Sequence, residues 1–197
     1  GSILKQLLTD DPKMRIELLL PEPLIEQWKV ELQTKFDIST DDFEGLKFSI
    51  QDNEWRHTGS KFLVIDEAHH LTGNAFSTNQ SDRNNYEFLE KAALEVDGLL
   101  LLSATPVLHN EEVFLGMLHL LDPQLYELDD LEDFKEHVKI RTDLARRFTN
   151  FTHKTSPNTL ESSINVFRDS FPKDGKLDSL LNQIEGCLDS PTELKKP

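Results

Sequence analysis

The residues best suited to chemistry lie between Lys61 and Leu71, where the sequence reads KFLVIDEAHHL. Four apolar residues run directly into Asp66 and Glu67, and His69 follows two positions later. Uncompensated charge at the end of a buried run is costly, so these two carboxylates need a partner. Carboxylate oxygens are ligands that Mg²⁺ prefers, and a carboxylate can also polarise an attacking water. The alternative is a pair of surface acids that form ion pairs with nearby lysines.

An apolar strand that ends in Asp-Glu is typical of the Walker B motif of P-loop nucleotide hydrolases. The carboxyl end of such a strand opens into a crevice, where the ligands of parallel sheets bind. In that arrangement Asp66 holds Mg²⁺ through water, because this ion usually keeps several of its waters. Glu67 then orients and polarises the water that attacks the γ-phosphate of ATP. The pattern therefore predicts ATP and Mg²⁺ as the cofactors.

Short apolar runs alternate with amphipathic segments over the first 122 residues. The predicted strands are RIELLL, LKFSI, FLVI and GLLLLSATP. Between them we predict helices in ILKQLL, in EPLIEQWKVELQTKF, and in a segment traced by Tyr86, Leu89, Ala93 and Val96, with TGNAFSTNQSDRNN as a polar loop. Uniformly apolar strands that alternate with helices indicate an α/β layer built on a parallel sheet.

From about Glu111 onward the pattern is helical only. DDLEDFKEHVKIRTDLARRF predicts a long helix, and THKTSPNT is interpreted as a linker. Two shorter helices are expected around Ile164–Phe171 and Leu177–Leu188. We place the boundary between the α/β part, 1–122, and an all-helical extension, 123–197, near residue 122.

The overall charge narrows the function classes. The chain has 36 acidic and 21 basic residues, for a net charge of -15. This charge argues against a free-standing nucleic-acid-binding protein, which would normally be basic. It still allows a nucleic-acid site that is local or that another domain completes. The single cysteine, Cys187, excludes an internal disulfide and fits a reducing compartment. No apolar run is long enough for a membrane span, and we expect a cytoplasmic protein without a membrane partner.

Three motifs in order carry a family resemblance: LLLPEPLIEQW, VIDEAHHL and LLLLSATP. They resemble motifs Ia, II and III of superfamily-two helicase ATPases, and more closely those of the Swi/Snf group with its bacterial RapA-like members. The resemblance continues through LLDP and LEDFKEHV and covers roughly residues 3–150. It implies a RecA-like lobe in a bacterial protein that couples ATP hydrolysis to movement along double-stranded DNA. RNA polymerase or another DNA-bound complex is the implied target.

The resemblance also implies roles for residues around the nucleotide. Asp66 and Glu67 keep the roles assigned above. His69 would link the γ-phosphate region to Ser103 and Thr105, and thereby relay the nucleotide state to the nucleic-acid track. Considered without the resemblance, His69 is equally well explained as a polar residue at a crowded turn.

On the nucleic-acid side, the resemblance implies that Pro21, Glu22 and Gln27 contact a phosphate backbone. The structural alternative is an ordinary turn from strand to helix, with Trp28 as a core residue. KIRTDLARRF and Lys154 form a local basic cluster. A solvated helix face explains this cluster better than contact with nucleic acid or polymerase.

The sequence departs from the family pattern in one important respect. No G-x-x-x-x-G-K-[ST] occurs, so the loop that cradles phosphates is missing, and so is the second RecA-like lobe. In the family, a helix like ILKQLL closely follows that loop. We therefore expect a piece of a longer protein that begins just downstream of the loop and, by itself, is inactive and binds no cofactor. The family's loop-bearing strand pairs with the motif III strand, so Leu99–Leu102 would be left as an apolar edge that promotes self-association.

Two other functions are weighed against this one. An RNA helicase of the DEAH type shares VIDEAHHL, but PEPLIEQW and LLDP fit the Swi/Snf pattern better. A non-enzymatic interaction module descended from an ATPase lobe would also lack the phosphate loop. An upstream GxGKT in the gene would favour the ATPase, whereas a native start near Ile3 would favour the module.

Overall fold

The computed structural model describes residues 1–39, 43–104, 110–152 and 154–188. The chain divides into two compact units, Gly1–Phe134 and Lys135–Pro197. The predicted domain boundary at residue 122 stays a prediction, since a division by compactness does not define the limits of a domain family. Within the described part of the chain, every helix is too short or too polar to cross a membrane.

The first unit is built on a four-stranded, fully parallel sheet with the order β2-β1-β3-β4. The strands are β1 (Ile16–Leu20), β2 (Leu46–Ile50), β3 (Phe62–Ile65) and β4 (Gly98–Leu101). Leu19 of β1 pairs with Ile65 of β3, which pairs with Leu101 of β4. The carboxyl ends of β1, β3 and β4 are therefore aligned along one edge of the sheet. This sheet confirms the predicted α/β class.

Helices cover both faces of the sheet. The helices of the first unit, together with the one that continues beyond it, are α1 (Ser2–Asp10), α2 (Ile25–Phe36), α3 (His69–Thr72), α4 (Gln80–Glu95), α5 (Glu111–Leu121) and α6 (Leu131–Thr149). Short 3-10 turns span Glu22–Leu24, Gly73–Phe76 and Leu128–Asp130. On one face, leucines of α1 and α2 pack on Leu18 and Leu20; on the other, α4 and α5 pack on Leu19. Because both faces are covered, all five residues of β1 are buried.

The segment after β3 is more helical than predicted. The polar stretch from Thr72 was expected to be a loop, with a helix traced only from Tyr86. In the structure α3 and a 3-10 turn follow β3, and α4 begins at Gln80. The side chain of Asn79 caps α4 by accepting a hydrogen bond of 2.8 Å from the Ser81 amide. The prediction was wrong because the first turns of α4 face solvent and show no apolar periodicity.

The second unit is helical, as predicted, and contains α7 (Pro157–Ser170) and α8 (Gly175–Leu188). Its small core is formed by Ile164, Phe167 and Leu181. A side-chain cap from Ser156 starts α7 at Pro157, earlier than the sequence predicted. Arg168 joins the two helices through ion pairs of 2.9 Å to Asp178 and 2.8 Å to Glu185.

Candidate functional site

Asp66 lies at the carboxyl end of β3, where two contacts fix its backbone. Its amide donates a hydrogen bond of 3.2 Å to the carbonyl of Leu19. The side-chain amide of Gln51 donates both to the carbonyl of Asp66 and, at 3.0 Å, to that of Leu19. The main chain that carries the first carboxylate is thus tied to the central strand β1.

The carboxylate of Asp66 accepts one hydrogen bond at each oxygen. The indole N–H of Trp28 donates to Oδ2 at 2.7 Å, and the backbone amide of Glu67 donates to Oδ1 at 3.0 Å. Each oxygen keeps acceptor capacity beyond these bonds. Asp66 lines a cleft of about 230 Å³ together with Gln27, Trp28 and Gly1, the residue before α1. Its oxygens are therefore available to a ligand in this cleft.

Glu67 occupies a sharp turn between β3 and α3. Its φ is 48°, and Glu67 and Asp37 are the non-glycine residues with positive φ in the described part of the chain. The amide of the fully buried Ala68 donates a 2.9 Å hydrogen bond to the carbonyl of Leu102, which fixes the turn against the chain that follows β4. A left-handed conformation costs a non-glycine residue roughly 1–2 kcal/mol, so the surrounding structure holds Glu67 there under strain.

The side chain of Glu67 is incompletely satisfied. Its Oε2 is buried and accepts no hydrogen bond from the described residues. The nearest basic group is His69, whose Nδ1 lies 3.2 Å from this oxygen but is not aligned for a hydrogen bond. A buried carboxylate oxygen without a donor is costly unless a ligand or water supplies one.

His69 lies between the two strand ends. Its Nδ1 is 3.1 Å from Oγ of Ser103, just beyond β4, with geometry that suits a hydrogen bond. The structure therefore brings Glu67, His69 and Ser103 together at the carboxyl edge of the sheet, and Asp66 directly precedes Glu67. The predicted partner Thr105 lies outside the described residues.

The three predicted nucleic-acid contacts line two different clefts. Gln27 lines the cleft of Asp66, and its side-chain amide donates to Glu31 at 3.2 Å. Pro21 and Glu22 line a different cleft of about 500 Å³. The charged and titratable residues of this second cleft are Glu22, Asp52, His70 and Asp82. Its lining is acidic, which disfavours direct contact with phosphates.

Sequence reasoning missed two members of the site. Trp28 packs against the core, as expected, but its indole N–H also binds the carboxylate of Asp66, which was not predicted. Gln51 was not predicted to belong to the site, although it ties Asp66 to β1. The position of Trp28 on the apolar face of α2 placed it against the sheet, but its hydrogen bond has no signature in residue spacing.

The donor set fits a magnesium nucleotide better than a metal held by the protein alone. The described residues contain no group of three or more His, Cys, Asp or Glu side chains that could hold a metal ion. Mg²⁺ is commonly bound through one or two carboxylates together with water and substrate phosphates. Asp66 could supply a carboxylate for such a site, and its cleft is also bordered by Glu31 and by the amino end of α1. A helix amino terminus favours phosphate.

Comparisons with known proteins bear on the family and the fold. A family model described as SNF2-related domain matches residues 26–174. The RNA polymerase-associated protein RapA of Stutzerimonas stutzeri (strain A1501) is 28% identical over 160 residues, which are 68% of this chain and 16% of the relative. The SWI2/SNF2 ATPase core of Sulfolobus solfataricus, solved in complex with dsDNA, has a TM-score of 0.50 at 13% identity. That match covers 67% of this chain and 30% of the solved chain, and it shows the fold. Because the family model matches most of its length, the chain belongs to the SNF2-related domain family.

Proposed function

We propose that the chain provides the magnesium-binding and water-activating residues of a Swi/Snf-type ATP hydrolase that moves along double-stranded DNA. The observation that carries the proposal is the buried Oε2 of Glu67, which accepts no hydrogen bond from the described residues. This oxygen belongs to a strained residue beside Asp66, at the sheet edge where ligands of parallel α/β folds bind. A buried carboxylate oxygen without a hydrogen bond would be stabilised by a water or ligand that donates to it.

Asp66 is the proposed metal-binding residue. Its two hydrogen bonds, from Trp28 and from the Glu67 amide, hold the carboxylate in one orientation. Bound magnesium–ATP would supply the γ-phosphate and the cation that neutralises its charge. Asp66 would hold Mg²⁺ through the ion's water shell, by the acceptor capacity that its two hydrogen bonds leave free.

Glu67 and His69 are proposed to act as a pair. Glu67 accepts a hydrogen bond from the attacking water and orients it. One ring nitrogen of His69, Nδ1, lies 3.2 Å from Oε2 of Glu67 and 3.1 Å from Oγ of Ser103. A single ring N–H serves one acceptor well, so His69 can favour either Glu67 or Ser103. An exchange between these two partners would connect the nucleotide site to the end of β4.

The proposed track is double-stranded DNA, and the proposed target is RNA polymerase or another DNA-bound complex. The relatives support these assignments: RapA is an RNA polymerase-associated protein, and the solved SWI2/SNF2 core is in complex with dsDNA. The chain spans 16% of the length of RapA and carries a net charge of -15. We therefore infer that other parts of an intact protein supply most of the basic surface for DNA. Pro21, Glu22 and Gln27 remain proposed contacts, and a bacterial cytoplasmic location is proposed from the relative.

ATP hydrolysis by the full-length gene product tests the proposal. Hydrolysis should be measured without nucleic acid, with double-stranded DNA and with single-stranded RNA at one fixed salt concentration. We expect the greatest stimulation by double-stranded DNA. Stimulation by RNA alone would contradict double-stranded DNA as the track, and the absence of hydrolysis under all three conditions would favour a binding module.

A further inference from the structure

The chain has two tryptophans, and each donates its indole N–H to a carboxylate. Trp28 donates to Oδ2 of Asp66 at 2.7 Å, and Trp55 donates to Oε1 of Glu17 at 2.9 Å. Glu17 is fully buried in β1 and pairs with Leu63, three residues before Asp66. The two bonds are chemically alike, but they differ in location. Of the two pairs, only that of Trp28 and Asp66 lies in the cleft of about 230 Å³.

The bond from Trp28 constrains the side chain of Asp66, whose other hydrogen bond comes from the adjacent residue. The backbone of Asp66 is tied to β1 through Leu19, but these contacts leave the rotation of its carboxylate undetermined. Its Oδ1 accepts from the next amide along the chain, that of Glu67. Trp28 lies 38 positions away on α2 and fixes Oδ2 from outside this turn. An indole N–H is a single donor on a rigid ring, so it specifies the direction from which Oδ2 is approached.

We infer that Trp28 is a positioning residue for the magnesium site. By binding Oδ2, it holds the Asp66 carboxylate in the orientation that presents its remaining acceptor capacity to the cleft. This inference rests on the proposed function, because it assumes that Asp66 binds the water shell of Mg²⁺. It assigns the indole N–H, rather than the bulk of the ring, as the group that matters. Removing a partner that orients a metal ligand typically lowers metal affinity by roughly 10–100-fold.

The hydrogen bond can be tested on the 197-residue chain without any activity measurement. In a ¹H–¹⁵N spectrum of the chain, the two indole resonances can be assigned from Trp28→Phe and Trp55→Phe. Asp66→Ala leaves both rings in place and should shift the Trp28 indole resonance and speed its hydrogen exchange. The Trp55 resonance, held by Glu17, should stay unchanged. A Trp28 resonance that does not respond to Asp66→Ala would overturn the inference.

The functional consequence can be tested in the full-length gene product. Trp28→Phe keeps an aromatic ring but removes the donor, so the Mg²⁺ concentration for half-maximal hydrolysis should rise about tenfold. Excess Mg²⁺ should restore most of kcat, which a general loss of packing would not allow. Trp55→Phe removes an equivalent bond outside the cleft and should leave the Mg²⁺ dependence unchanged.

Equal Mg²⁺ dependence in the Trp28→Phe and Trp55→Phe proteins would contradict a positioning role for Trp28. If Trp28→Phe fails to fold, the Asp66→Ala spectrum still decides whether the bond exists, because Trp28 is intact there. An unmodified protein that hydrolyses no ATP would contradict the proposed function. The response of the Trp28 indole resonance to Asp66→Ala would still show separately whether the hydrogen bond exists.

Discussion

The indole nitrogen of Trp55 lies 2.9 Å from Oε1 of Glu17, a carboxylate with no exposed surface in the central strand β1. The same oxygen accepts a 2.6 Å hydrogen bond from Ser49, and Oε2 accepts one of 2.8 Å from the hydroxyl of Thr58. Trp55 and Thr58 belong to the segment between β2 and β3, which forms no helix or strand. A buried charge therefore holds this connection against the sheet, and it is tolerable only while its donors stay in place.

Replacing Glu17 with Gln should destabilise the chain at neutral pH. The amide has nearly the same shape, but its NH₂ group faces hydroxyl, indole and backbone donors and cannot accept their bonds. We expect the free energy of unfolding in urea to fall by about 2 kcal/mol. Glu31→Gln on the exposed face of α2 is the matched control and should cause a much smaller loss. Equal effects of the two substitutions would contradict the stabilising role of Glu17.

Glu17 should also make stability depend on pH in the acid range. Burial opposes its ionisation, but hydrogen bonds from Ser49, Trp55 and Thr58 outweigh burial and lower the pKa of Glu17 below its ordinary value of 4.5. Its stabilising contribution is thus fully present above pH 4.5 and is lost as the pH falls through the folded-state pKa. Urea midpoints of the unmodified chain should drop in that range, and the drop should be smaller in Glu17→Gln. Identical acid slopes would argue against this linkage.

The strained turn predicts that glycine stabilises the chain more than alanine does at position 67, the reverse of the order expected within a helix. Because the φ of Glu67 is 48°, Glu67→Gly should be more stable than Glu67→Ala by about 1 kcal/mol in urea unfolding. At Glu87, exposed in the middle of α4, the order should reverse by a similar amount, roughly 1 kcal/mol. If alanine is the more stable replacement at both positions, the turn does not have this geometry in solution.

The outer edge of β4 should promote self-association of the 197-residue chain. None of the described strands pairs with this edge, and Leu99–Leu101 are only partly buried, whereas β1 is buried throughout. The opposite edge strand, β2, carries the exposed Lys47, a residue type that discourages pairing between edges. Sedimentation velocity should show a coefficient that rises with protein concentration. A constant monomer value over the whole concentration range would contradict this prediction.

Proline at position 101 offers a specific variant for the same experiment. The Gly98 amide donates to the carbonyl of Lys61, the residue before β3, and the Leu102 amide donates to that of Ile65 in β3. The alternation of a strand therefore directs the Leu101 amide away from β3. Leu101→Pro removes an outward donor and should reduce association. Leu100→Pro is the matched control, because it removes a donor on the side of β3 and should destabilise the sheet itself. If a folded Leu101→Pro chain associates as strongly as the unmodified chain, the contact between copies does not lie at the outer edge of β4.

The 197-residue chain should show no saturable binding of magnesium–ATP in calorimetry. Asp66 and Glu67 are acceptors only, and the sequence contains no phosphate-binding loop whose amides and lysine would balance the triphosphate charge. The full-length gene product is the control if its sequence supplies that loop. A dissociation constant in the micromolar range for the 197-residue chain would show that the described residues suffice for binding.

Much of the fold and part of the site could be predicted because they depend on periodicity. Mostly apolar runs marked β1, β3 and β4. That His69 would approach Ser103 was implied by the family resemblance. Contacts that depend on side-chain rotation left no such pattern. The bond from Trp28 to Asp66 and the left-handed turn at Glu67 follow from tertiary packing, which residue spacing does not encode. The first turns of α4 were missed for a related reason, since their capping and solvation show no apolar repeat.

The division of labour between Asp66 and Glu67 is best tested by two isosteric substitutions in the full-length gene product. Glu67→Gln keeps the size of the side chain and one acceptor oxygen but removes the charge that polarises water. Nucleotide affinity should persist while DNA-stimulated hydrolysis falls by about 10²–10⁴-fold. Asp66→Asn weakens the hold on Mg²⁺, so affinity and hydrolysis should fall together, with partial recovery at high Mg²⁺.

The measurement is a paired determination of magnesium–ATP affinity and DNA-stimulated turnover for the unmodified protein and both variants. We predict that Glu67→Gln binds nucleotide normally but hydrolyses it slowly, whereas Asp66→Asn loses both properties until Mg²⁺ is raised. Near-normal turnover by Glu67→Gln would contradict the assignment of Asp66 and Glu67 as the metal-binding and water-activating residues.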